Sequence, residues 1–129
     1  MSIAFHSVTP ILRIFDIAKA EEFYRDFLGF STDWDHRFGD DFPLYRQISR
    51  GGLVFHLSEH HGDGSPGVHV RINTSGIAQF HAELESKNYR YMKPGLDKAS
   101  PDRLEMTVID PFGNKLTFVE EQNKKNEQG

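Results

Sequence analysis

The spacing of apolar residues changes early in the chain, and the change predicts a strand followed by a helix. Residues 8–15 alternate like a strand that starts beside Pro10, which indicates an edge position or an irregular start. Asp16 is suited to cap a helix, and Gly29 is suited to end it. Between them the apolar residues fall on one helical face: Ile17, Ala20, Phe23, Tyr24, Phe27 and Leu28.

The same order of elements occurs twice. Strands are predicted at about residues 31–35, 44–49 and 53–59, and a loop-forming stretch follows at 60–66. A strand at 68–73 then precedes a helix capped by Ser75 and ended by Asn88, with further strands at 90–93, 103–109 and 115–120. The pattern predicts one α+β domain of two βαβββ modules, about 5–60 and 67–121, with a frayed tail at 122–129.

Each predicted strand has one apolar face and one mixed face. Phe55 opposes His56, Val70 opposes His69, and Leu116 opposes Thr117. The apolar faces suit packing against the helices. The mixed faces either contact solvent or line a cleft, and periodicity alone leaves both interpretations open.

Composition narrows the function classes. The 129 residues include no cysteine, which excludes disulfides, zinc–thiolate sites and a cysteine nucleophile. The net charge of −4 disfavours a nucleic-acid partner, and no apolar run is long enough to cross a membrane. We therefore expect a cytoplasmic protein. The 11 Phe, 4 Tyr and 1 Trp predict either a large core or a cleft lined with rings.

Several segments resemble the vicinal-oxygen-chelate superfamily, which includes glyoxalase I, extradiol dioxygenases, and fosfomycin- and bleomycin-resistance proteins. DIAKAEEFYRDFLGF, starting at Asp16, is similar to its opening helix, and EMTVIDPFGNKLTFVE, starting at Glu105, is similar to its closing hairpin. VTPILRI, DPFGN and HLSEHHGDGSPG are more like the bleomycin-resistance branch. The resemblance implies two modules curled into an incomplete barrel around a concave site, and a homodimer.

The superfamily's enzymes hold a divalent metal with side chains from four strand positions. Aligned on the shared motifs, these positions carry Thr9, His56, His69 and Thr117 in this chain. Hydroxyl groups are weak ligands, and two imidazoles rarely hold a catalytic metal, so we expect no metal and no other cofactor. The alternative is a glyoxalase-like metal-dependent lyase or dioxygenase using His56, His69 and Glu105.

The bleomycin-resistance branch lacks these ligands and sequesters a cationic, aromatic drug. The resemblance therefore implies a metal-independent protein, without catalytic residues, that binds a bleomycin-like or other aromatic cationic compound. An acidic and aromatic stretch at residues 33–42, which includes Asp33, and nearby Tyr45 suit such a ligand. The candidate ligand-binding residues are Thr9, Trp34, Phe38, Phe42, Phe55, His56, His69, Glu105 and Thr117. A domain with no small ligand is a third interpretation.

Overall fold

A computed structural model describes residues 2–122, and they form two modules with the same order of elements. The first comprises β1 (Ile11–Arg13), α1 (Ile17–Ala20) continued by a π-helical segment (Glu21–Phe27), β2 (Ser31–His36), β3 (Tyr45–Arg50) and β4 (Leu53–Ser58). The second comprises β5 (His69–Asn73), α2 (Ile77–Ser86), β6 (Asp97–Ser100), β7 (Arg103–Ile109) and β8 (Lys115–Glu121).

Each module forms one four-stranded sheet, and the two sheets have equivalent topologies. The strand orders are β1-β4-β3-β2 and β5-β8-β7-β6. In each sheet the strand before the helix pairs in parallel with the last strand, and the other pairs are antiparallel. Both sheets are open. The predicted α+β class and incomplete barrel are confirmed.

The apolar faces of the two sheets share one hydrophobic core. Leu12 and Leu57 from the first sheet belong to the same buried cluster as Met106 and Leu116 from the second. The first helix contributes the fully buried ring of Tyr24, as its apolar periodicity predicts. The mixed faces of both sheets therefore lie on the side of each sheet away from this core.

A turn in the second module holds the two modules together. Its Asp110 carboxylate accepts a hydrogen bond of 2.6 Å from the Tyr24 hydroxyl. The same carboxylate accepts hydrogen bonds of 2.8 Å from the backbone N–H groups of Phe112 and Asn114. The Asn114 side chain donates to the backbone carbonyl of Arg13 at 3.0 Å. Every buried side-chain N or O atom in the described part of the chain has a hydrogen-bond partner. The DPFGN sequence thus acts as a structural link between modules.

Two predicted features of the second module are wrong. Residues 90–93 form no strand, and the edge strand is β6, Asp97–Ser100. The segment before β6 packs on the first helix instead: the Tyr89 ring lies 4.6 Å from that of Phe27. The cap of α2 is Gly76, with φ 80°, and the Ile77 N–H donates to the Glu120 carboxylate at 2.8 Å rather than to Ser75.

The start of the chain differs from the prediction as well. The first strand is shorter than predicted, because only Ile11–Arg13 pair with β4; residues 2–9 form no strand and are exposed. Of the predicted tail, residues 123–129 lie outside the described part. No helix between residues 2 and 122 is long and apolar enough to span a membrane.

Candidate functional site

The mixed face of the first sheet carries a hydrogen-bonded chain that fixes one imidazole. Both nitrogens of the His56 ring form hydrogen bonds. Nδ1 lies 2.7 Å from the Tyr45 hydroxyl, and Nε2 lies 3.0 Å from Oε1 of Gln47. The Gln47 amide donates in turn to Asp33 at 3.1 Å. Asp33 also accepts the Ser49 hydroxyl at 3.1 Å. We call these residues and Trp34 the aromatic face.

The hydrogen-bond chain sets the roles of the His56 nitrogens. A carboxylate only accepts, so the Gln47 –NH2 group points to Asp33 and its oxygen points to His56. Nε2 of His56 then carries the proton and donates to Gln47, and the lone pair on Nδ1 accepts a hydrogen bond from the Tyr45 hydroxyl. Neither nitrogen is left free to bind a metal in this arrangement.

Trp34 packs against two other rings on this face. Its ring stacks on Tyr45, with centroids 6.1 Å apart and planes 15° apart, and meets His56 edge-on at 5.4 Å. The Trp34 side chain is nevertheless 43% exposed. Burial raises the pKa of Tyr45, and the nearby charge of Asp63 adds to this. A rigid aromatic surface with one side open to solvent is suited to stacking against a planar ligand.

Two further predicted residues lie on the loop that follows β2. Phe38 is 74% exposed, and its ring meets His36 at 4.8 Å and His60 at 6.3 Å, both nearly perpendicular. Phe42 is half exposed on the same loop, where the Arg37 guanidinium donates to its carbonyl at 2.8 Å. Phe38 therefore continues the ring cluster around Tyr45 and His60, whereas Phe42 contacts the loop itself.

The prediction for Phe55 is wrong. This side chain has no exposed area and stacks on Phe30 in the core, with centroids 5.5 Å apart. Side chains alternate along β4, so Phe55 and His56 lie on opposite faces of the sheet. Phe55 supports the site from beneath and cannot contact a ligand.

The mixed face of the second sheet, which we call the basic face, carries a separate network. Nε2 of His69 lies 2.7 Å from the Thr117 hydroxyl, which lies 2.9 Å from the Thr107 hydroxyl. The Glu105 carboxylate accepts from Arg71 at 3.1 Å and from Arg103 at 3.0 Å. The hydrogen bond from Arg71 is the main cause that holds the pKa of Glu105 below its usual range.

The four metal positions of the superfamily do not come together within the described residues. His56 lies on the first sheet, and His69 and Thr117 lie on the second. Thr9 is exposed in the segment before Pro10. Between residues 2 and 122 no group of three His, Cys, Asp or Glu side chains is arranged to hold a metal. The donors in the alternative metal set are engaged elsewhere: Glu105 binds two arginines, and His56 binds Tyr45 and Gln47.

Sequence reasoning missed Gln47. Its signal was the alternation along β3, which places Tyr45, Gln47 and Ser49 on one face opposite Arg46 and Ile48. Because Gln47 pairs with His56 in the sheet, the two side chains are neighbours on that face. Asp35, in the same acidic stretch as Asp33, is used differently: it binds the buried Arg46 at 2.6 Å, which keeps the Asp35 pKa low.

Comparisons with known proteins agree with this architecture. A glyoxalase family protein from Bacillus anthracis superposes with a TM-score of 0.70 at 19% identity, covering 94% of this chain and 99% of that one. An antibiotic binding protein from Streptomyces sp. CB03234 superposes with a TM-score of 0.67 at 20% identity, and the match covers 94% of this chain and 98% of that one. A bleomycin-binding protein from Streptomyces verticillus, complexed with copper(II)-bleomycin, superposes with a TM-score of 0.61 at 25% identity. That match covers 91% of this chain and 97% of the other.

The family assignment follows from the sequence itself. No curated protein matches the chain at a significant level. A family model described as "Glyoxalase superfamily protein" matches residues 1–125, almost the entire chain. This chain belongs to the glyoxalase superfamily.

Proposed function

We propose that the protein binds a planar aromatic, positively charged compound on the aromatic face and sequesters it without chemical change. The observation that carries this proposal is the exposed Trp34 ring, which stacks on Tyr45 and meets His56 edge-on. Rings held in this way lose little conformational freedom when a ligand stacks on them. Two of the structurally similar proteins are an antibiotic binding protein and a bleomycin-binding protein in complex with copper(II)-bleomycin.

The charges near Trp34 favour a cationic ligand. The Asp33 carboxylate accepts hydrogen bonds from the neutral Gln47 and Ser49 side chains, and no cation pairs with it in the described range. Asp63 lies near enough to Tyr45 to affect the pKa of that phenol. A cationic aromatic compound on Trp34 therefore gains from stacking, from cation–π attraction and from these two negative charges.

We propose that this binding needs no metal. The first sheet positions the imidazole of His56 with both nitrogens hydrogen-bonded, and on the second sheet Glu105 is bound by two arginines. A metal-dependent lyase or dioxygenase would need three free ligands in one place. Elemental analysis of protein purified without a histidine tag tests this directly. Stoichiometric Fe, Ni, Mn or Zn that is lost in His69→Ala would support the enzyme instead.

We further propose that the binding unit is a cytoplasmic homodimer in which the aromatic face of one copy meets the basic face of the other. Among residues 2–122 no hydrogen bond joins the two faces within one chain. The basic face carries Arg71, Arg103 and Lys115 against Glu105, whereas the aromatic face carries the unpaired charge of Asp33. Such complementary charge favours pairing between copies and would enclose a ligand between them.

The single tryptophan makes the proposal directly testable. Because Trp34 is the only Trp in the chain, its fluorescence reports on the aromatic face alone. We expect titration with metal-free bleomycin, or with the planar cation ethidium, to quench this fluorescence and to release heat in calorimetry. EDTA should change neither signal.

Variants separate the aromatic face from other exposed rings. Trp34→Ala should weaken binding in calorimetry by about tenfold or more, since a stacked or cation–π contact contributes on the order of 1–2 kcal/mol. Tyr91→Ala is the matched control, because Tyr91 is exposed on a loop of the second module. Absence of heat and of quenching with both probes would refute ligand binding of this class. Equal weakening in both variants would refute the location.

A further inference from the structure

A cleft of about 380 Å³ opens between the two modules, on the core side of the second sheet; we call it the module cleft. The first module supplies Phe30 and the β3–β4 turn, and the second supplies the end of β5 and the start of α2. Ile72 and Phe118 line the cleft, whereas their strand neighbours Arg71 and Thr117 belong to the basic face. The cleft is therefore separate from both mixed faces, and its volume suits a small molecule.

The walls of the module cleft are apolar side chains that the core holds in place. Phe80 and Phe118 meet edge to face, with centroids 5.1 Å apart and planes at 80°. Phe30 is stacked on the buried Phe55. Leu53 and Phe80 pack against the core cluster but are only partly buried. A ligand in the cleft would complete their burial, and little conformational freedom would be lost because the rings are already positioned.

The charged residues that line the module cleft neutralise each other. Arg50 donates to both carboxylate oxygens of Glu83 at 2.8 Å, and its guanidinium lies over the Phe80 ring at 5.1 Å. The hydrogen bond from Arg50 holds the pKa of Glu83 below its usual range, so the pair stays ionised at neutral pH. A charged ligand would lose its hydration here without gaining a partner. The cleft therefore favours an uncharged ligand, unlike the aromatic face.

The mouth of the module cleft adds uncharged polar groups. Ser75 and Gln79 line the cleft and are exposed to solvent. The Ser75 hydroxyl and the Gln79 amide can each donate or accept a hydrogen bond. Gly51 and Gly76 also line the cleft and have no side chains to narrow it. A ligand can therefore place its rings against the apolar walls and a polar group at the mouth.

We propose that the module cleft is a second binding site, which takes an uncharged aromatic compound that carries a hydrogen-bonding group. The rings of the ligand pack against Phe80 and Phe118, and its polar group meets Ser75 or Gln79. Such a ligand contacts both modules, so its binding stabilises the folded chain by mass action. The site does not depend on the proposed function of the aromatic face, because the two sites share no residue and favour ligands of different charge.

Two fluorescent probes with the same rings test the preference for an uncharged ligand. N-phenylnaphthylamine is uncharged, and anilinonaphthalenesulfonate carries an added sulfonate. We expect the fluorescence of N-phenylnaphthylamine to rise on titration into the full chain and to saturate at one probe per chain. The sulfonate should bind more weakly by about tenfold or more, because Arg50 is already paired with Glu83. No rise with the uncharged probe, or equal affinities for both probes, would overturn the proposal.

Single cysteines locate the bound probe, because the chain has no cysteine of its own. Gln79→Cys places a thiol at the mouth of the module cleft. Tyr91→Cys is the matched control, since Tyr91 lines a different cavity, of about 220 Å³. We expect saturating N-phenylnaphthylamine to slow alkylation of Gln79→Cys by iodoacetamide about fivefold or more, because a bound ligand covers the mouth, and to leave Tyr91→Cys unaffected. No slowing of Gln79→Cys, or equal slowing of both variants, would overturn the location.

Phe80→Ala removes one wall of the module cleft. We expect the affinity for N-phenylnaphthylamine to fall about tenfold, the effect of losing one aromatic contact, whereas Tyr91→Ala should leave it unchanged. Equal affinity in Phe80→Ala and the parent would contradict the site. Quenching of Trp34 by ethidium should be the same in Phe80→Ala as in the parent, which checks that the variant is folded. The same signal distinguishes failure of the module cleft from failure of the aromatic face, and the alkylation test stands if Phe80→Ala does not fold.

Discussion

The imidazole of His56 is held by side chains that the chain order separates and the sheet brings together. Asp33 orients Gln47, and Gln47 orients His56. His56 in turn accepts a hydrogen bond from the Tyr45 hydroxyl. Alternation along single strands predicted that His56 lies on a mixed face. It could not predict the partners, because those depend on the register between β3 and β4.

Tyr45 has two roles that substitutions can separate. Tyr45→Phe removes the hydrogen bond to His56 but keeps the ring under Trp34, so we expect bleomycin or ethidium affinity to change less than threefold. Tyr45→Ala removes the stack, and we expect a loss of about tenfold, in keeping with an aromatic contact of roughly 1 kcal/mol or more. Calorimetric titration measures both. An equal loss in both variants would mean that the hydroxyl, and not the ring, determines binding.

Tyr89 makes stability depend on alkaline pH. Burial, followed by the hydrogen bond to Glu22, raises the pKa of Tyr89 from 10.0 to about 12. A raised pKa means that the folded state favours the protonated phenol, so its contribution is complete below pH 10 and is lost as pH rises towards 12. We expect Tyr89→Phe to lose less stability than the parent between these pH values, as measured by urea unfolding. Parallel pH profiles would contradict this.

At the scale of elements, local signals predicted helices and strands wherever side chains close in sequence determine the structure. The first helix begins after Asp16, whose carboxylate accepts the Lys19 N–H at 2.8 Å, as its position predicts. The strand predicted at residues 90–93 fails because Tyr89 and Met92 contact the first helix and β7, which are distant in sequence. Tertiary packing overrode the local pattern there.

The start of α2 depends on an acceptor from another strand. Glu120→Ala removes the partner of the Ile77 N–H, and we expect the free energy of unfolding to fall by about 1 kcal/mol, the usual effect of losing a helix cap. Ser75→Ala should have an effect of only a few tenths of a kcal/mol, because Ser75 makes no cap contact. Urea denaturation of both variants tests this, and a larger effect at Ser75 would restore the original prediction.

At the scale of the molecule, repetition in the sequence predicted two modules but not how they would be joined. The repeated order of elements predicted both sheets. The DPFGN segment forms the turn in which Asp110 accepts a hydrogen bond from the Tyr24 hydroxyl. The convergence of Thr9, His56, His69 and Thr117 was not observed within one chain, because both sheets turn their apolar faces to a common core. Which faces meet is decided by packing between modules, and periodicity within one strand contains no information about that.

The bond between Tyr24 and Asp110 should contribute to the stability of the whole molecule. Tyr24→Phe keeps the buried ring but removes the 2.6 Å hydrogen bond to the carboxylate. We expect a loss of about 1–3 kcal/mol in the free energy of unfolding, as for buried hydrogen bonds to charged groups. Tyr91→Phe, at an exposed ring, is the control. Equal midpoints in urea for parent and Tyr24→Phe would show that the bond contributes nothing.

The shared core also bears on how this chain can change over time. Since the helices and one side of each sheet supply nearly all of the buried apolar side chains, residues such as Trp34 and Phe38 on the outer surface are largely dispensable for folding. Replacing them alters what the surface attracts while leaving the scaffold almost as stable as before. Descendants of this sequence can therefore acquire new ligand preferences by a few substitutions, without compensating changes inside the protein.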